Sequence, residues 1–404
     1  MVEFRLTEEQ KALQTLAREF AQREIVPLSA ELDKNTDPSK CHSWEVFDKL
    51  AQVGLKTVTI KKKRGGAEVD WLTVGILTEE FCAADGGIGA SIMQGCWKLP
   101  KVFQELVPDE KIEKFLRPFI ENPRYIMGVA LTEPEGGGCD NIMPCLDPKA
   151  GMQLSVTQSG DHFILNGMKH FISNGGMASL YMVFARTDRK KPITEGMTVF
   201  MVPADAPGFS VGRWHDKLGV RCMSNSELIF ENCRIPVENQ VSPWNGASKA
   251  LARFLPHSNS TTATVSLGIA RALYEKTLEY TKQRVQGAMP IIEHQPTKMM
   301  LAEMWMLIEV SRDLLWKAMW TAQQFVDTQD PVYWNPPLFK SSKPFISECA
   351  SRVAHLAMEI HGGYGVMRDV GLEKLVRDAL TMLHPDATNT ALRIAIGDAL
   401  SKGH

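Results

Sequence analysis

Near the end of the 404-residue chain, the stretch LHPDATNTALR (383–393) carries one acid, Asp386. A carboxylate there can do two things. It can cap the helix that the following Ala-Leu-Arg-Ile-Ala-Ile pattern predicts, by accepting unpaired backbone N–H groups. It can also take a proton from a bound molecule, if that proton lies within hydrogen-bonding reach. Other residue types in the chain are suited to binding. Glycines 136–138 let backbone amides approach a ligand, although a plain turn uses the same residues. Phe171 and Ser173 stand two apart in a β-rich stretch, which predicts an aromatic wall and a hydroxyl on one strand face. Arg284, at the predicted end of a helix, offers a guanidinium fork that suits phosphate oxygens; alone it reads as a solvated surface arginine. Gly362 and Gly363 let another backbone pass close. The hydroxyls of FLPHSNSTTATVS (254–266) either line a polar cavity or bond the preceding helical turn.

Composition narrows what these residues serve. The chain is 44% hydrophobic and 23% charged, and its length suits two or three domains. A net charge of −2 gives no electrostatic case for nucleic acid. No run of eighteen apolar residues predicts a membrane span. The opening MVEFRLTEEQKAL has early acids and no apolar core, unlike a secretory signal or an Arg-rich transit peptide. The eight cysteines form no CxxC pair, and the ten histidines show no ligand spacing. This predicts reduced thiols in a cytoplasmic protein with no metal.

Periodicity divides the chain into three. From Thr7 to about Glu121 the pattern is helical, with Leu13, Leu16, Ala17, Phe20 and Ala21 on one stripe. Thr7 with Gln10 fits a capping box, and further helices are predicted at 43–54, 70–84 and 109–120. KKKRGGAEVD (61–70) reads as a solvated basic loop rather than a phosphate contact. From about Tyr125 to Val241 the period shortens. Runs such as SLYMVFARTD and MTVFMVPAD, separated by Ser-Gly-Asp and Asn-Gly turns, predict a compact antiparallel β domain, a small barrel or sandwich. From about Gly246 long amphipathic helices return and suit a four-helix bundle that associates further. YWNPPL (333–338) breaks two of these helices. The expected fold is thus α+β and multidomain: helical over 1–123, β over 124–242, helical bundle over 243–404.

On this background, several stretches in order resemble the acyl-CoA dehydrogenase family. ALTEPEGGGCD (130–140) looks like that family's flavin loop and KHFISNGG (169–176) like its flavin-contacting strand. KLGVRCMSNSELIFENCRIP (217–236), KQR with EHQ (282–295), IHGGYGVMRD (360–369) and VRDA (376–379) follow, so the resemblance covers nearly the whole chain. It implies FAD, an acyl-CoA thioester substrate, an electron-transferring flavoprotein as acceptor, and a homotetramer built as a dimer of dimers. By the same resemblance Leu131, Thr132, Gly138, Cys139, Phe171, Ser173, Arg284, Glu359, Gly362, Gly363 and Thr388 would meet the cofactor, with Arg284 at its pyrophosphate. Gly362 and Gly363 would face the neighbouring subunit's cofactor. Cys139, Ser258, Asn259 and Tyr364 would meet the substrate. The family's Tyr-Glu-Gly-Thr is replaced by Pro385-Asp386-Ala387-Thr388, so Asp386 stands where the family has the base. That base removes the α-proton of the thioester while the β-hydride passes to flavin N5.

The departures are specific. Asp is one methylene shorter than Glu, about 1.5 Å of reach. Ala387 for Gly is expected to deny the loop positive φ. The glycine loop is one residue longer than the family's, and Cys139, a weak donor, replaces Ser. Gly287 replaces an aromatic residue, and Glu359 replaces Gln near the phosphates. Pro256, His257, Ser258 and Asn259 replace a stretch holding Asp and Arg, which suggests a polar acyl cavity and a branched, cyclic or carboxylated acyl group. None of these residues supplies the Glu that some family members use as an alternative base. Two other readings stay open: a relative running as reductase, oxidase or lyase, and a non-catalytic subunit of a mixed oligomer.

Overall fold

The computed structural model describes residues 5–136 and 146–403. The chain begins with helices α1 (Glu8–Phe20), α2 (Val26–Asp33), α3 (Trp44–Gln52), α4 (Trp71–Ala84), α5 (Gly86–Ile92), α6 (Leu99–Leu106) and α7 (Asp109–Glu121). Thr7 caps α1 in the predicted box: its hydroxyl accepts from the Gln10 amide at 3.1 Å, and the Gln10 side chain accepts from the Thr7 amide at 3.0 Å. α4 is buried nearly all round, as a helix without a polar face must be. The basic loop meets acids rather than a ligand. Lys63 and Arg64 pair with Asp109, and Arg64 with Glu113, on the first turn and a half of α7.

Seven strands follow: β1 (Met127–Ala130), β2 (Ser155–Ser159), β3 (His162–Ser173), β4 (Leu180–Arg186), β5 (Met197–Pro203), β6 (Phe209–Trp214) and β7 (Asn225–Pro236). They form one sheet in the order β1-β4-β2-β3-β7-β6, with β5 on the other flank of β4. The expectation of a purely antiparallel domain is corrected: β1 and β2 both run parallel to β4. Parallel neighbours need a long connection, and the chain between β1 and β4 supplies one. The uninterrupted apolar run of β4, buried at every position, is the local mark of this central role.

The last third comprises α8 (Ala247–Gln283), a two-stranded ribbon of β8 (Val285–Gln286) and β9 (Met289–Pro290), then α9 (Gln295–Thr328), α10 (Pro336–His361), α11 (Leu372–Thr381) and α12 (Asn389–Ser401). α8, α9 and α10 pack on one another, and α12 closes the bundle on α10. α4 lies against α8, so the first and last helical segments share a core.

Two buried ionic groups join the segments. Glu80 on α4 receives Arg18 of α1 at 2.8 Å and Arg271 of α8 at 2.7 Å. In the second, Lys374 of α11 bridges Asp85 at 2.9 Å and Asp378 at 2.8 Å. Asp85 also caps α5 through the Gly87 and Ile88 amides and receives the Ser29 hydroxyl at 2.5 Å. Asp378 receives the Val220 amide, at 2.5 Å, from the segment between β6 and β7. Burial alone would discharge Lys374, but the two carboxylates hold it charged well above its ordinary range. Burial pushes Asp378 up, whereas Lys374 and the capped amides hold Asp85 low against the same burial.

Burial works to raise the Glu80 carboxyl, but hydrogen bonds from Arg18 and Arg271 outweigh it and bring the carboxyl down to about 2. A depressed carboxylate stabilises the fold above its unfolded pKa of about 4.3, and that contribution is lost as pH falls toward the folded value. Glu80→Gln should therefore lower unfolding free energy by about 2–4 kcal/mol at neutral pH, less than a fully enclosed pair because Arg18 is half exposed. The gap from wild type should stay level above pH 4.5 or so and close as pH drops toward 2. Denaturant titrations at several pH values check this; a gap that widens in acid contradicts it.

Candidate active site

The loop between α11 and α12 carries Asp386, and its backbone is unusual. Asp386 has φ 57° and Ala387 φ 81°. The expectation that Ala387 excludes positive φ is thus overturned: the residue adopts it despite its Cβ. Such a conformation costs roughly 1–2 kcal/mol per non-glycine residue and persists only where surroundings fix it. Lys343 of α10 does the fixing, donating to the Leu383 carbonyl at 2.8 Å, the Ala387 carbonyl at 2.9 Å and the Asn389 side chain at 2.8 Å. Burial among these neutral acceptors brings the Lys343 ammonium down to about 8.

Asp386 is not the helix cap. Thr388 caps α12, its hydroxyl accepting from the Ala391 amide at 3.2 Å. The Asp386 carboxylate turns to α8 instead. It accepts from the hydroxyls of Ser258 at 2.9 Å and Thr262 at 3.1 Å and from the Asn259 amide at 3.4 Å. The Lys98 ammonium lies 3.9 Å away. The polar stretch of α8 therefore divides by helix phase. Ser258, Asn259 and Thr262 converge on Asp386, while Thr261 and Thr264 bond the turn before them. His257 stacks on Trp71 at 4.3 Å, and burial holds its ring neutral.

In the same cavity as Asp386, the chain leaves β1 through Leu131, Thr132 and Glu133. Lys169 of β3, fully buried, donates to the Leu131 carbonyl at 2.9 Å and to Glu133 at 2.7 Å. Glu133 also accepts the Gln153 and Leu154 amides at 2.5 and 3.0 Å. The Thr132 carbonyl accepts the His170 amide at 2.8 Å. These bonds lock the start of the glycine loop; Gly138 and Cys139 lie outside the described residues. Phe171 sits on a β-bulge with φ 56°, its ring 60% exposed. The bulge breaks the strict alternation that placed Phe171 and Ser173 on one face, yet both line the same cavity.

That cavity encloses about 1190 Å³ where the three segments meet. Leu131, Thr132, Phe171, Ser173, Ser258, Asp386 and Thr388 border it, and Asn259 reaches it through Asp386. Two lining residues had no motif to mark them. Lys98 and Gln94 belong to a π-helical turn, Met93–Lys98, inside an apolar run, and only a lone lysine two residues before Pro100 hinted at it. Arg284, Glu359, Gly362, Gly363 and Tyr364 are not in this cavity. They gather at a second depression of about 610 Å³ on the bundle. There the Arg284 guanidinium lies 5.3 Å from the Tyr364 ring centre, and Gly362 holds φ 55°, ψ −134°, a conformation glycine alone tolerates. At the cavity rim, His170, His215 and Glu227 bring donor atoms within 4.8 Å of one another across β3, β7 and the end of β6, a grouping linear spacing conceals.

A helical layer, a central sheet and a helical bundle thus meet at a cavity lined by both an exposed aromatic side chain and a carboxylate. Comparison with known proteins gives the class. Family models of the acyl-CoA dehydrogenase N-terminal, middle and C-terminal domains match residues 7–122, 128–233 and 245–401. The short-chain specific acyl-CoA dehydrogenase of Clostridium acetobutylicum is 31% identical over 94% of both chains. Cyclohex-1-ene-1-carbonyl-CoA dehydrogenase of Geobacter metallireducens is 32% identical over 98% of both. The butyryl-CoA dehydrogenase structure from Megasphaera elsdenii superposes with a TM-score of 0.89 at 30% identity, covering 99% of this chain and all of that one. The chain belongs to the acyl-CoA dehydrogenase family and is an FAD-dependent oxidoreductase acting on CH–CH bonds. Among the described residues no helix is long and apolar enough to cross a membrane.

Replacing Ala387 by glycine should raise stability. Relief of the left-handed strain, less the extra entropy glycine brings to the unfolded chain, leaves about 0.5–1 kcal/mol. Thermal unfolding of Ala387→Gly measures it, and a lower melting temperature would show that the loop is unstrained.

Proposed function

We propose that this chain dehydrogenates an acyl-CoA thioester between its α and β carbons, with Asp386 as the base that takes the α-proton. The supporting observation is the allocation of acids around the cavity. Among the described residues two line it, Glu133 and Asp386. Glu133 is consumed by Lys169 and two backbone amides, whereas the shortest contacts of Asp386 are to two hydroxyls, Ser258 and Thr262, that can follow a change of protonation. A hydroxyl both donates and accepts, so Ser258 and Thr262 donate to the carboxylate and one can accept from the acid once it holds the proton. The left-handed backbone at 386–387 is where the shorter reach of Asp is made up. Leu131, Thr132, Phe171, Ser173 and Thr388 hold the cofactor beside it; the exposed Phe171 ring and the Ser173 hydroxyl fit an extended ring with polar edges. Bound FAD supplies the hydride acceptor, and an electron-transferring flavoprotein takes the electrons onward.

Arg284, Glu359, Gly362, Gly363 and Tyr364 form the second contact region, and their distance from the cavity supports a cofactor shared between subunits of a homotetramer. α9 supports assembly too, since Met299, Trp305, Met306 and Val310 leave apolar side chains more than half exposed along it. The polar wall of α8 supports an acyl group other than a plain straight chain.

Asp386→Asn should lower turnover by about 10²–10⁴-fold, the usual share of a positioned general base, while the protein stays yellow. Anaerobic flavin bleaching by a panel of straight, branched, cyclic and dicarboxylic acyl-CoA thioesters reads both, and near-normal bleaching in the variant sinks the assignment. Arg284→Ala should weaken FAD retention at least tenfold, the loss expected on removing a guanidinium–phosphate contact. Gel filtration followed by flavin quantification checks it; full occupancy in the variant would place the pyrophosphate elsewhere.

A further inference from the structure

We infer that His170, His215 and Glu227 form a binding site for one divalent transition-metal ion, with zinc as the probe, at the cavity rim beside Phe171. The inference is independent of the dehydrogenase reading, which gives these three side chains no role.

The sheet brings the three together through its irregularities. On β3, His170 and Phe171 fall between the register pairs Lys169–Leu228 and Ile172–Ser226, so two residues there oppose the single Glu227 of β7. On the other side of β7, Gly212 and Arg213 fall between Val211–Leu228 and Trp214–Ser226, so two residues of β6 also oppose Glu227. Such bulges re-aim side chains that strict alternation would send to opposite faces. His215 follows β6, its amide donating to the Asn225 carbonyl at 2.8 Å. Asn225 and Glu227 stand two apart on β7 and share a face. The expectation of no metal rested on spacing along the chain, whereas here three separate stretches each supply one donor.

The donor atoms lie within 4.8 Å of one another. The Arg213 amide donates to Glu227 Oε2 at 3.0 Å, and a Cβ on Gly212 would come within 2.8 Å of the same oxygen. One carboxylate oxygen is thus seated against β6, which orients the other, Oε1, toward His170. His170 Nδ1 lies 3.5 Å from Oε1 without forming a hydrogen bond to it. Both His170 Nδ1 and His215 Nε2 are buried from solvent and have no hydrogen-bond partner among the described residues. Buried ring nitrogens are rarely left so. Two of them facing one carboxylate point to a shared ligand that accepts lone pairs from all three.

The donor set and its surroundings select the ion. Two imidazoles and one carboxylate suit zinc and its first-row neighbours, with a further position left for water. Arg213 and Lys217 act on His215 as nearby positive charges, so carboxylate charge alone does not hold a cation here. Calcium and magnesium, which need several oxygen ligands, are disfavoured. Binding at about 2.0–2.1 Å per bond requires the side chains to close on the ion by small rotations. The Phe171 ring lies 4.0 Å from the His170 ring and 4.8 Å from the His215 ring, so a bound ion would pin the bulge that presents Phe171.

The test uses FAD-loaded enzyme stripped of metal by a chelator and titrated calorimetrically with zinc chloride or magnesium chloride. Zinc should bind at one ion per chain and magnesium should not. His215→Ala and Glu227→Gln should each weaken zinc at least about tenfold, since loss of even an outer-shell partner costs about 10–100-fold. Retained flavin and an unchanged circular dichroism spectrum show that each variant is folded. Anomalous diffraction at the zinc edge, from wild-type crystals soaked in zinc chloride, locates the ion without any variant; a peak among the three side chains is expected. A peak elsewhere, zinc affinity unchanged in both variants, or equal uptake of magnesium overturns the site. So does no uptake of zinc, which would leave a water molecule among the three.

Discussion

One ammonium ties together the elements that frame the cavity. Lys374 sits between Asp85 and Asp378, and through them α5, the segment before β7 and α11 are fixed to one another. Three parts of the cavity lead back to this point. α5 runs into the π-helical turn with Gln94 and Lys98. Val220 adjoins Lys217 and Leu218 at the rim. α11 leads directly into the Asp386 loop. Two carboxylates and one lysine leave a surplus of negative charge, which the Ser29 hydroxyl and three backbone amides absorb. The arrangement tolerates burial because each oxygen has a donor.

Much of this was legible in the chain itself. The capping box at Thr7, the change of period near residue 125 and the long helices after 246 depend on neighbours three or four residues apart, which a sequence displays directly. Asp386 could be located by its place after Gly363. Its posture could not. Local preference made it a helix cap, but Thr388 took that role because Lys343, some forty residues earlier, holds the loop two residues short of the helix. Phe171 shows the same limit. Strand alternation placed it on one face with Ser173, whereas a bulge against β7 interrupts that alternation and both still line the cavity. The parallel pairings of β4 were hidden too, since strand direction is set by connections and not by composition.

The division of α8 shows how helical phase separates roles within a single polar run. Residues 258, 259 and 262 share a face toward the loop, and 261 and 264 turn toward their own backbone. A reading of the composition alone weighs these hydroxyls equally. The three-dimensional arrangement divides them between two partners, the Asp386 carboxylate and the helix's own backbone.

The π-helical turn at Met93–Lys98 has a consequence for how this cavity can change. Such a turn holds one residue more than a regular one, so it offsets everything after it by about 100° of helical rotation. Leu99, Val102 and Phe103 of α6 reach the core only with that offset in place. A deletion that swung Lys98 out of the cavity would also rotate these three side chains into solvent. The cavity's charge can therefore drift by point substitution, but the turn that presents it is locked by the register of a core several ångströms away.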